Sequence, residues 1–430
     1  MKAENVSVVG VGYVGLTLAT VLAERGFRVT GVDINKPLLE KLNRCEPHFY
    51  EKGLPLLLRK TVGKNLSFSD HIPGDSDTII LSVGTYIHPE TKKPILEQII
   101  RSAEQISENL NDGPLVILRS TVPIGTTRNV VKPILDKSKK EYSLAFCPER
   151  TVEGKALDEL KELPQIIGGI NEESIDLAFD LFKNITNTIV RMSSLEAAEM
   201  VKLLCNSHRD LNFAYANEIA LICEKTGLDP HEVIRAANSG YGRSSISTPG
   251  FVGGSCLVKD PHILNYCVAQ TDYKPRLIIS GREVNEGMVD YVFGRIKEKV
   301  DCGGKMFITG MAFKGKPETD DLRDSPSVDL VEKLRKTGYG NISVHDFVVS
   351  DDRLKSLGYN PVSLEEGFES TDCVVIGNNH ERYAYLNIDS YLGLMKKNSL
   401  FFDVWRMFEP EIITNNNNNN NNISYASIGK

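Results

Sequence analysis

Positive charge is not in excess in this sequence: 50 Lys and Arg face 57 Asp and Glu, for a formal net charge of −7. That balance counts against a nucleic-acid partner, whose phosphates call for a basic patch or stripe. It leaves room for an anionic small molecule, because one pocket can be basic on an acidic protein. No apolar run approaches the roughly 20 residues of a bilayer-spanning helix, so no membrane partner is expected. The opening residues MKAENVSVVG lack the apolar core and small-residue cleavage site of a secretory signal, which points to the cytoplasm. The eight cysteines show neither a CxxC pair nor regular spacing, and in a reducing compartment they read as mostly buried thiols. No metal site is expected.

What is present is length and alternating pattern. The 430 residues exceed the roughly 250–300 that one core supports, so two or three domains are expected. Asn5–Val9 is a β-rich apolar run leading into Gly10-Val-Gly12-Tyr13-Val14-Gly15. Leu16–Arg25 reads as a helix and Phe27–Val32 as a strand ending at Asp33. With further strands at Thr78–Val83, Leu115–Arg119 and Leu144–Phe146, this predicts a parallel, doubly wound α/β sheet over residues 1–193. Leu195–Lys225 has apolar residues at helical spacing and no Pro or Gly. It reads as one helix of about 45 Å, long enough to act as a spine and a dimer surface. More helix is expected to about Lys299, interrupted by the loop Ser239–Ser255, and residues 194–302 form a central helical domain. Lys305–Thr309, Val328–Lys336, Ile342–His345 (ending at Asp346), Cys373–Ile376 and Leu400–Asp403 repeat the α/β order over 303–430. The fold class is therefore α/β: two Rossmann-like doubly wound domains joined by a long helix and a central helical dimerisation domain. The run Asn415–Asn422 reads as a surface loop before a last short strand.

Several motifs carry chemistry, each beside a blander reading. Gly10 permits a tight turn, Gly12 lets the backbone approach a pyrophosphate, and Gly15 lets helix and strand pack closely. Asp33, at the end of the next strand, is placed to bind the adenosine ribose diol and to repel a 2′-phosphate, so NAD is favoured over NADP. A purely structural turn is the alternative. Gly253-Gly254-Ser255-Cys256, followed by Lys259 and Asp260, leaves room for close approach to a thiol. A helix starting there would lower its pKa, but the same run also suits a structural cysteine. Lys202, Asn206 and Arg209 fall at i, i+4, i+7 on one helix face, either a solvated stripe or one turned to a cleft; His208 lies off that face. Glu149, Arg150 and Glu153 follow a predicted strand, as do Ser120 and Thr121, and Thr85. Such ends hold ligands in parallel sheets, though loop charge is the plain reading. Phe313 and Lys314, with Arg323, suit a diphosphate or an ordinary surface.

In combination the sequence resembles the UDP-glucose/UDP-N-acetylhexosamine 6-dehydrogenase family nearly end to end. The resemblance is carried by GVGYVG at Gly10, RSTVPIGTT (Arg119–Thr127), CPERTVEGKAL (Cys147–Leu157), the Lys202/Asn206 helix, GFVGGSCLVKD (Gly250–Asp260) and FKGKPETDDLRDSPS (Phe313–Ser327). It implies an NAD domain, a helical dimerisation spine and a UDP-binding domain. The implied reaction is a two-step oxidation of a sugar C6 alcohol by two NAD. Cys256 would be the nucleophile, carrying a thiohemiacetal and then a thioester. Lys202 would stabilise the reacting oxygen, Asp260 and Asn206 would position water and oxyanion, and Glu149 and Thr121 would serve the proton path. Gly10, Gly12, Tyr13, Val14, Gly15, Asp33, Thr85, Ser120, Thr121, Glu153 and Arg323 would contact NAD. Glu149, Arg150, Glu153, Lys202, Asn206, Arg209, Gly250, Gly253, Gly254, Lys259, Phe313 and Lys314 would hold the UDP-sugar. Arg243, on a loop spaced differently from the family's, would reach in from the neighbouring subunit of a homodimer. The segment Asn206-Ser-His-Arg209-Asp-Leu-Asn resembles N-acetylhexosamine enzymes, whereas Ser255 before the cysteine resembles UDP-glucose enzymes. UDP-N-acetylmannosamine is expected first, UDP-N-acetylglucosamine next and UDP-glucose third. A two-electron hydroxyacid-type dehydrogenase and a non-catalytic nucleotide-binding protein are the competing classes.

Overall fold

A computed structural model describes residues 4–414 and 422–430; all but the last residue of the asparagine run lies outside the described residues. The chain divides into two compact units, residues 1–206 with 259–274 and residues 207–258 with 275–430.

The first unit is built on β1 (Asn5–Val9), α1 (Tyr13–Glu24), β2 (Arg28–Val32), β3 (Leu66–Ser69), β4 (Thr78–Leu81), β5 (Leu115–Leu118), β6 (Ser143–Phe146), β7 (Gln165–Gly169) and β8 (Ile189–Arg191). The strands pair in the order β8-β7-β6-β5-β4-β1-β2-β3. β4, β5, β6 and β7 are buried at every residue, because a sheet covered on both faces selects unbroken apolar runs over alternation. The chain order reverses beside β1, where β2 and β4 flank it, and a loop crevice opens there. The sheet departs from the expected all-parallel pattern at one joint: β7 runs antiparallel to β6. The segment between them returns to the same end of the sheet instead of crossing over it.

The helix α2 (Leu195–Thr226) runs 32 residues, about 48 Å, and the division between units falls within it. In the second unit follow α3 (Pro230–Asn238) and the long loop to Val258. The next helix, α4 (Asp260–Tyr266), belongs to the first unit; α5 (Arg276–Lys297) returns to the second. There β9 (Met306–Thr309), α6 (Pro326–Lys336), β10 (Ile342–His345), β11 (Cys373–Ile376), β12 (Leu400–Asp403) and β13 (Ser424–Ser427) form a parallel sheet in the order β10-β9-β11-β12-β13. Among the described residues no helix is long and apolar enough to cross a membrane.

Candidate active site

In the first unit the glycine loop closes as its spacing requires. Gly10 takes φ +90°, which a side chain disfavours, and a Cβ there would press on Val83 of the neighbouring strand's end. A Cβ on Gly15 would overlap the Gly10 carbonyl, so helix and strand touch only because Gly15 has none. Gly12, at the N-cap of α1, is exposed with open space where its Cβ would lie. The first turn of α1 carries no acidic residue, leaving the helix's positive end uncancelled. Tyr13 and Val14 are half-buried, with Tyr13 stacked on Phe49 at 4.0 Å. One Asp33 oxygen accepts from Val11 N–H (3.1 Å) and the other from Asn35 N–H (3.0 Å), which fixes the carboxylate at the loop. Ser120 is buried and donates to the Val83 carbonyl at 2.7 Å; Thr121 beside it is half-buried. The Thr85 hydroxyl is buried with no hydrogen-bond partner among the described residues. An orphaned donor near a glycine loop and a helix N-terminus is what a bound dinucleotide would satisfy.

A second group of first-unit residues concentrates charge. Lys202 lies on α2, with its ammonium 3.3 Å from the Glu149 carboxylate; their side chains are 7% and 9% exposed. Burial alone would raise the Glu149 carboxyl. The Lys202 ammonium, the buried Arg119 guanidinium and the Thr151 N–H together hold it below the ordinary carboxylate value. One turn along α2, Asn206 donates to Asp260 Oδ2 at 2.6 Å, while Lys259 Nζ lies 2.7 Å from Oδ1. Asp260 is completely buried. Buried ion pairs gain little net stability, so such a group is better explained by chemistry than by folding. Arg150 turns its guanidinium to the Pro164 carbonyl, and Glu153 is half-buried.

Cys256 sits in a turn of the second unit and is exposed, whereas burial pushes the Cys147 thiol up to about 12 and also raises Cys373. Reactive thiols are accessible ones, so Cys256 suits a nucleophile where the other two do not. The condition for a helix-lowered thiol is not met, because α4 begins at Asp260, where Pro261 favours a first turn. Glycines let the loop that carries the thiol pack closely against its surroundings. A Cβ on Gly253 would overlap the Asp324 carbonyl and Pro326, and one on Gly254 (φ +90°) would meet the Phe313 ring. A Cβ on Gly250 would strike the Trp405 indole.

The same loop borders a second-unit cavity of about 510 Å³, whose lining includes Gly253 and Leu257. It combines aromatic Phe213, Phe313 and Trp405 with cationic Arg209 and Lys314 and with the ion pair of Lys316 and Glu381. An aromatic wall suits a base, and convergent cations suit a diphosphate. Lys202, Asn206 and Arg209 share the expected face of the continuous helix α2; the first two are buried, while Arg209 is exposed and lines this cavity. Lys314 lies over the Phe313 ring at 5.3 Å. Arg323 is half-exposed and forked onto Asp321 (2.7 Å), and Arg243 is exposed over the Tyr241 ring. Trp405 was missed in the sequence because no local motif marks it, and Lys316 lies within the FKGKPETDDLRDSPS run without having been singled out. A bigger cavity, about 1180 Å³, opens at the amino ends of the first-unit strands, where carboxylates such as Asp75, Asp77, Asp112 and Glu141 outnumber Lys132, Lys140 and Lys183 on its wall. That acidic setting is opposite to the glycine loop and unsuited to phosphates, so chemistry outweighs size.

Comparisons with known proteins agree with this geometry. The three domain descriptions of the UDP-glucose/GDP-mannose dehydrogenase family match in order: the NAD binding domain over residues 4–186, the central domain over 196–287 and the UDP binding domain over 307–410. UDP-N-acetyl-D-mannosamine dehydrogenase of Campylobacter jejuni is 33% identical over 406 residues, covering 90% of this chain and 98% of that protein. NDP-N-acetyl-D-galactosaminuronic acid dehydrogenase of Ralstonia nicotianae is 32% identical over 397 residues, covering 90% and 93%. The structure of the UDP-D-ManNAc dehydrogenase from Pyrococcus horikoshii superposes with a TM-score of 0.86 at 29% identity, covering 99% of each chain.

Proposed function

Since the chain belongs to the UDP-glucose/GDP-mannose dehydrogenase family and is an NAD-dependent nucleotide-sugar dehydrogenase, we propose that it oxidises UDP-N-acetyl-D-mannosamine at C6 to the uronate, using two NAD per sugar. The observation that carries the proposal is an exposed Cys256 on a glycine-rich, closely packed loop bordering a cavity of aromatic and cationic side chains. NAD, when bound, takes up the hydride at each oxidation. The chain's own residues do the rest. The alcohol proton passes to a base as the aldehyde forms. The Cys256 sulfur adds to that carbonyl, giving a thiohemiacetal whose oxidation leaves a thioester, and water then cleaves the C–S bond and restores the thiol. Covalent capture keeps a reactive aldehyde from escaping.

Lys202 places a fixed positive charge where the reacting oxygen turns negative. Glu149, kept ionised by Lys202 and Arg119, is a proton acceptor and not a donor, and with Thr121 it takes the proton of the attacking water. Asn206 and Asp260, locked together at 2.6 Å, orient that water and the oxyanion. The cavity aromatics hold uracil, Lys314 and Lys259 face the diphosphate and sugar, and Arg209 selects the N-acetyl group. The glycine loop, Asp33, Thr85, Ser120, Glu153 and Arg323 serve NAD. In this reading residues 1–193 carry NAD, 194–302 the thiol and dimer contact, and 303–430 UDP. Two copies pair through α2, where Leu204, Tyr215 and Ile222 are each about half exposed along one stripe, and Arg243 reaches the neighbouring site.

The test is NADH yield on purified UDP-N-acetylmannosamine, UDP-N-acetylglucosamine and UDP-glucose. The expected result is two NADH per sugar, with the highest kcat/KM on the first. One NADH per molecule would mean a two-electron dehydrogenase, and activity on UDP-glucose alone would reverse the choice of sugar.

A further inference from the structure

Four buried polar side chains of the second unit, none with a role assigned above, form one network between two helices. α2 contributes Asp210 and Asn217, and α5 contributes Arg282 and Asn285; all four are at most 2% exposed. Arg282 Nη1 donates to Asp210 Oδ1 (2.5 Å) and to the Leu257 carbonyl (3.1 Å). Asn285 Nδ2 donates to the Asp210 carbonyl and to its Oδ1, each at 2.9 Å. Asn285 Oδ1 accepts from Asn217 Nδ2 at 3.0 Å. Asn217 then exchanges a pair of hydrogen bonds with Gly250: its Nδ2 donates to the carbonyl (3.1 Å) and its Oδ1 accepts the N–H (2.9 Å).

The two backbone sites this network grips are Gly250 and Leu257, which bracket the stretch of the loop that carries Cys256. The other side of that loop is fixed by Gly253 against Asp324 and Pro326, and by Gly254 against Phe313. A buried ion pair is a poor way to gain stability, since apolar residues of similar volume do as well. What apolar residues cannot do is hold a carbonyl and an amide at set positions.

We infer that Asp210, Asn217, Arg282 and Asn285 are positioning residues for the Cys256 thiol; the inference rests on the proposed role of Cys256 as nucleophile. The thiol enters only after the first hydride has left. A loop released from the clamp therefore leaves the first oxidation alone and slows capture of the aldehyde and the second oxidation. Misplacement by about 1 Å costs on the order of a hundredfold.

The experiment is rapid-mixing single turnover of the full-length enzyme with NAD and UDP-N-acetylmannosamine, following the two NADH phases. Arg282→Lys keeps a cation for Asp210 but its shorter, single-nitrogen head loses the planar guanidinium whose Nη1 bonds both Asp210 and the Leu257 carbonyl. The double variant Asp210→Asn with Arg282→Gln removes both charges together, so neither is left buried alone. In each the first phase stays within about threefold of wild type, and the second slows about a hundredfold. KM for either substrate moves little. Equal slowing of both phases, or no slowing of the second, overturns the inference. Cys256→Ser is the control for the underlying reading. If it gives both phases at wild-type rates, the nucleophile assignment itself fails. If it stalls after the first phase while the clamp variants do not, only the positioning role fails.

Discussion

Glu149 and Asp403 are both carboxyls sealed from water, and their neighbours send them in opposite directions. Beside Glu149 stand Lys202 and Arg119, which overcome the burial that would otherwise raise it. Its contribution to stability is present above the unfolded carboxylate pKa and is lost as pH falls through the lowered folded value. Asp403 ends β12 just before Trp405. Burial pushes it up to about 6, against hydrogen bonds from the loop amides that include Phe408 N–H at 2.8 Å. Its Oδ1 has no partner among the described residues. Here the sign is reversed. A folded pKa above the unfolded value of about 3.9 means a penalty absent below that value, growing from pH 4 to 6 and complete above it. Two pKa units correspond to about 3 kcal/mol. Asp403→Asn keeps an oxygen for the Phe408 amide and removes the titration. It should melt above wild type at pH 8, with the gap closing near pH 4.5, as read by differential scanning fluorimetry. A gap of the same size at both pH values would show that ionisation is not its cause.

At the scale of elements, β1, its glycine turn and α1 form a joint whose three glycines have separable duties. Gly15 has no room for a Cβ against the Gly10 carbonyl, while Gly12 has open space. Gly15→Ala should therefore loosen α1 from β1 and lower both the melting temperature and NAD affinity. Gly12→Ala should leave melting unchanged, yet weaken NAD at least tenfold by filling the space the diphosphate needs, with UDP affinity unaltered in both. Calorimetric titration with NAD and UDP, alongside thermal melts, distinguishes them; equal melting losses in the two variants would refute the division of labour. This joint was legible in the sequence because turn chemistry is local. So was α2, whose 32 residues contain no Pro or Gly to interrupt it. The reversal of β7 was not legible, since strand direction depends on where a connection returns and not on the strand's own pattern. Nor was the clamp on the Cys256 loop: Asp210 and Arg282 are 72 residues apart, and each alone reads as ordinary helix surface charge. The one available signal was the pair Arg282 and Asn285, three apart and so on one face of α5.

For the molecule as a whole, each unit repeats one device. A glycine with positive φ, Gly10 or Gly310, follows the first strand, and an acid at the end of the second, Asp33 or Asp346, accepts an amide hydrogen from the loop after that glycine. The chain thus carries two nucleotide-type sheet ends, in keeping with a reaction that needs NAD and a nucleotide sugar together. What the device does not explain is the outward stripe of α2. Leu204, Tyr215 and Ile222 are 52%, 53% and 52% exposed. At 100° per residue, spacings of 11 and 7 bring the three within about 20° of one line along the helix. Three large apolar side chains lie in register over most of a long helix, an alignment that a partner surface would explain. A second copy of the same helix is the partner that fits a self-complementary stripe. Light scattering coupled to gel filtration should accordingly give twice the chain mass for wild type. Replacing Tyr215 and Ile222 together by Glu should give a single chain mass, because two buried carboxylates would then face their own copies. NAD titration should be unchanged in that variant, since Gly10–Gly15 and Asp33 lie in the first unit, whereas turnover should fall at least tenfold as Arg243 of the neighbouring copy is withdrawn. A monomeric variant with full turnover would show that one chain holds a complete site and would remove Arg243 from it; a wild type of single chain mass would leave the stripe without a partner.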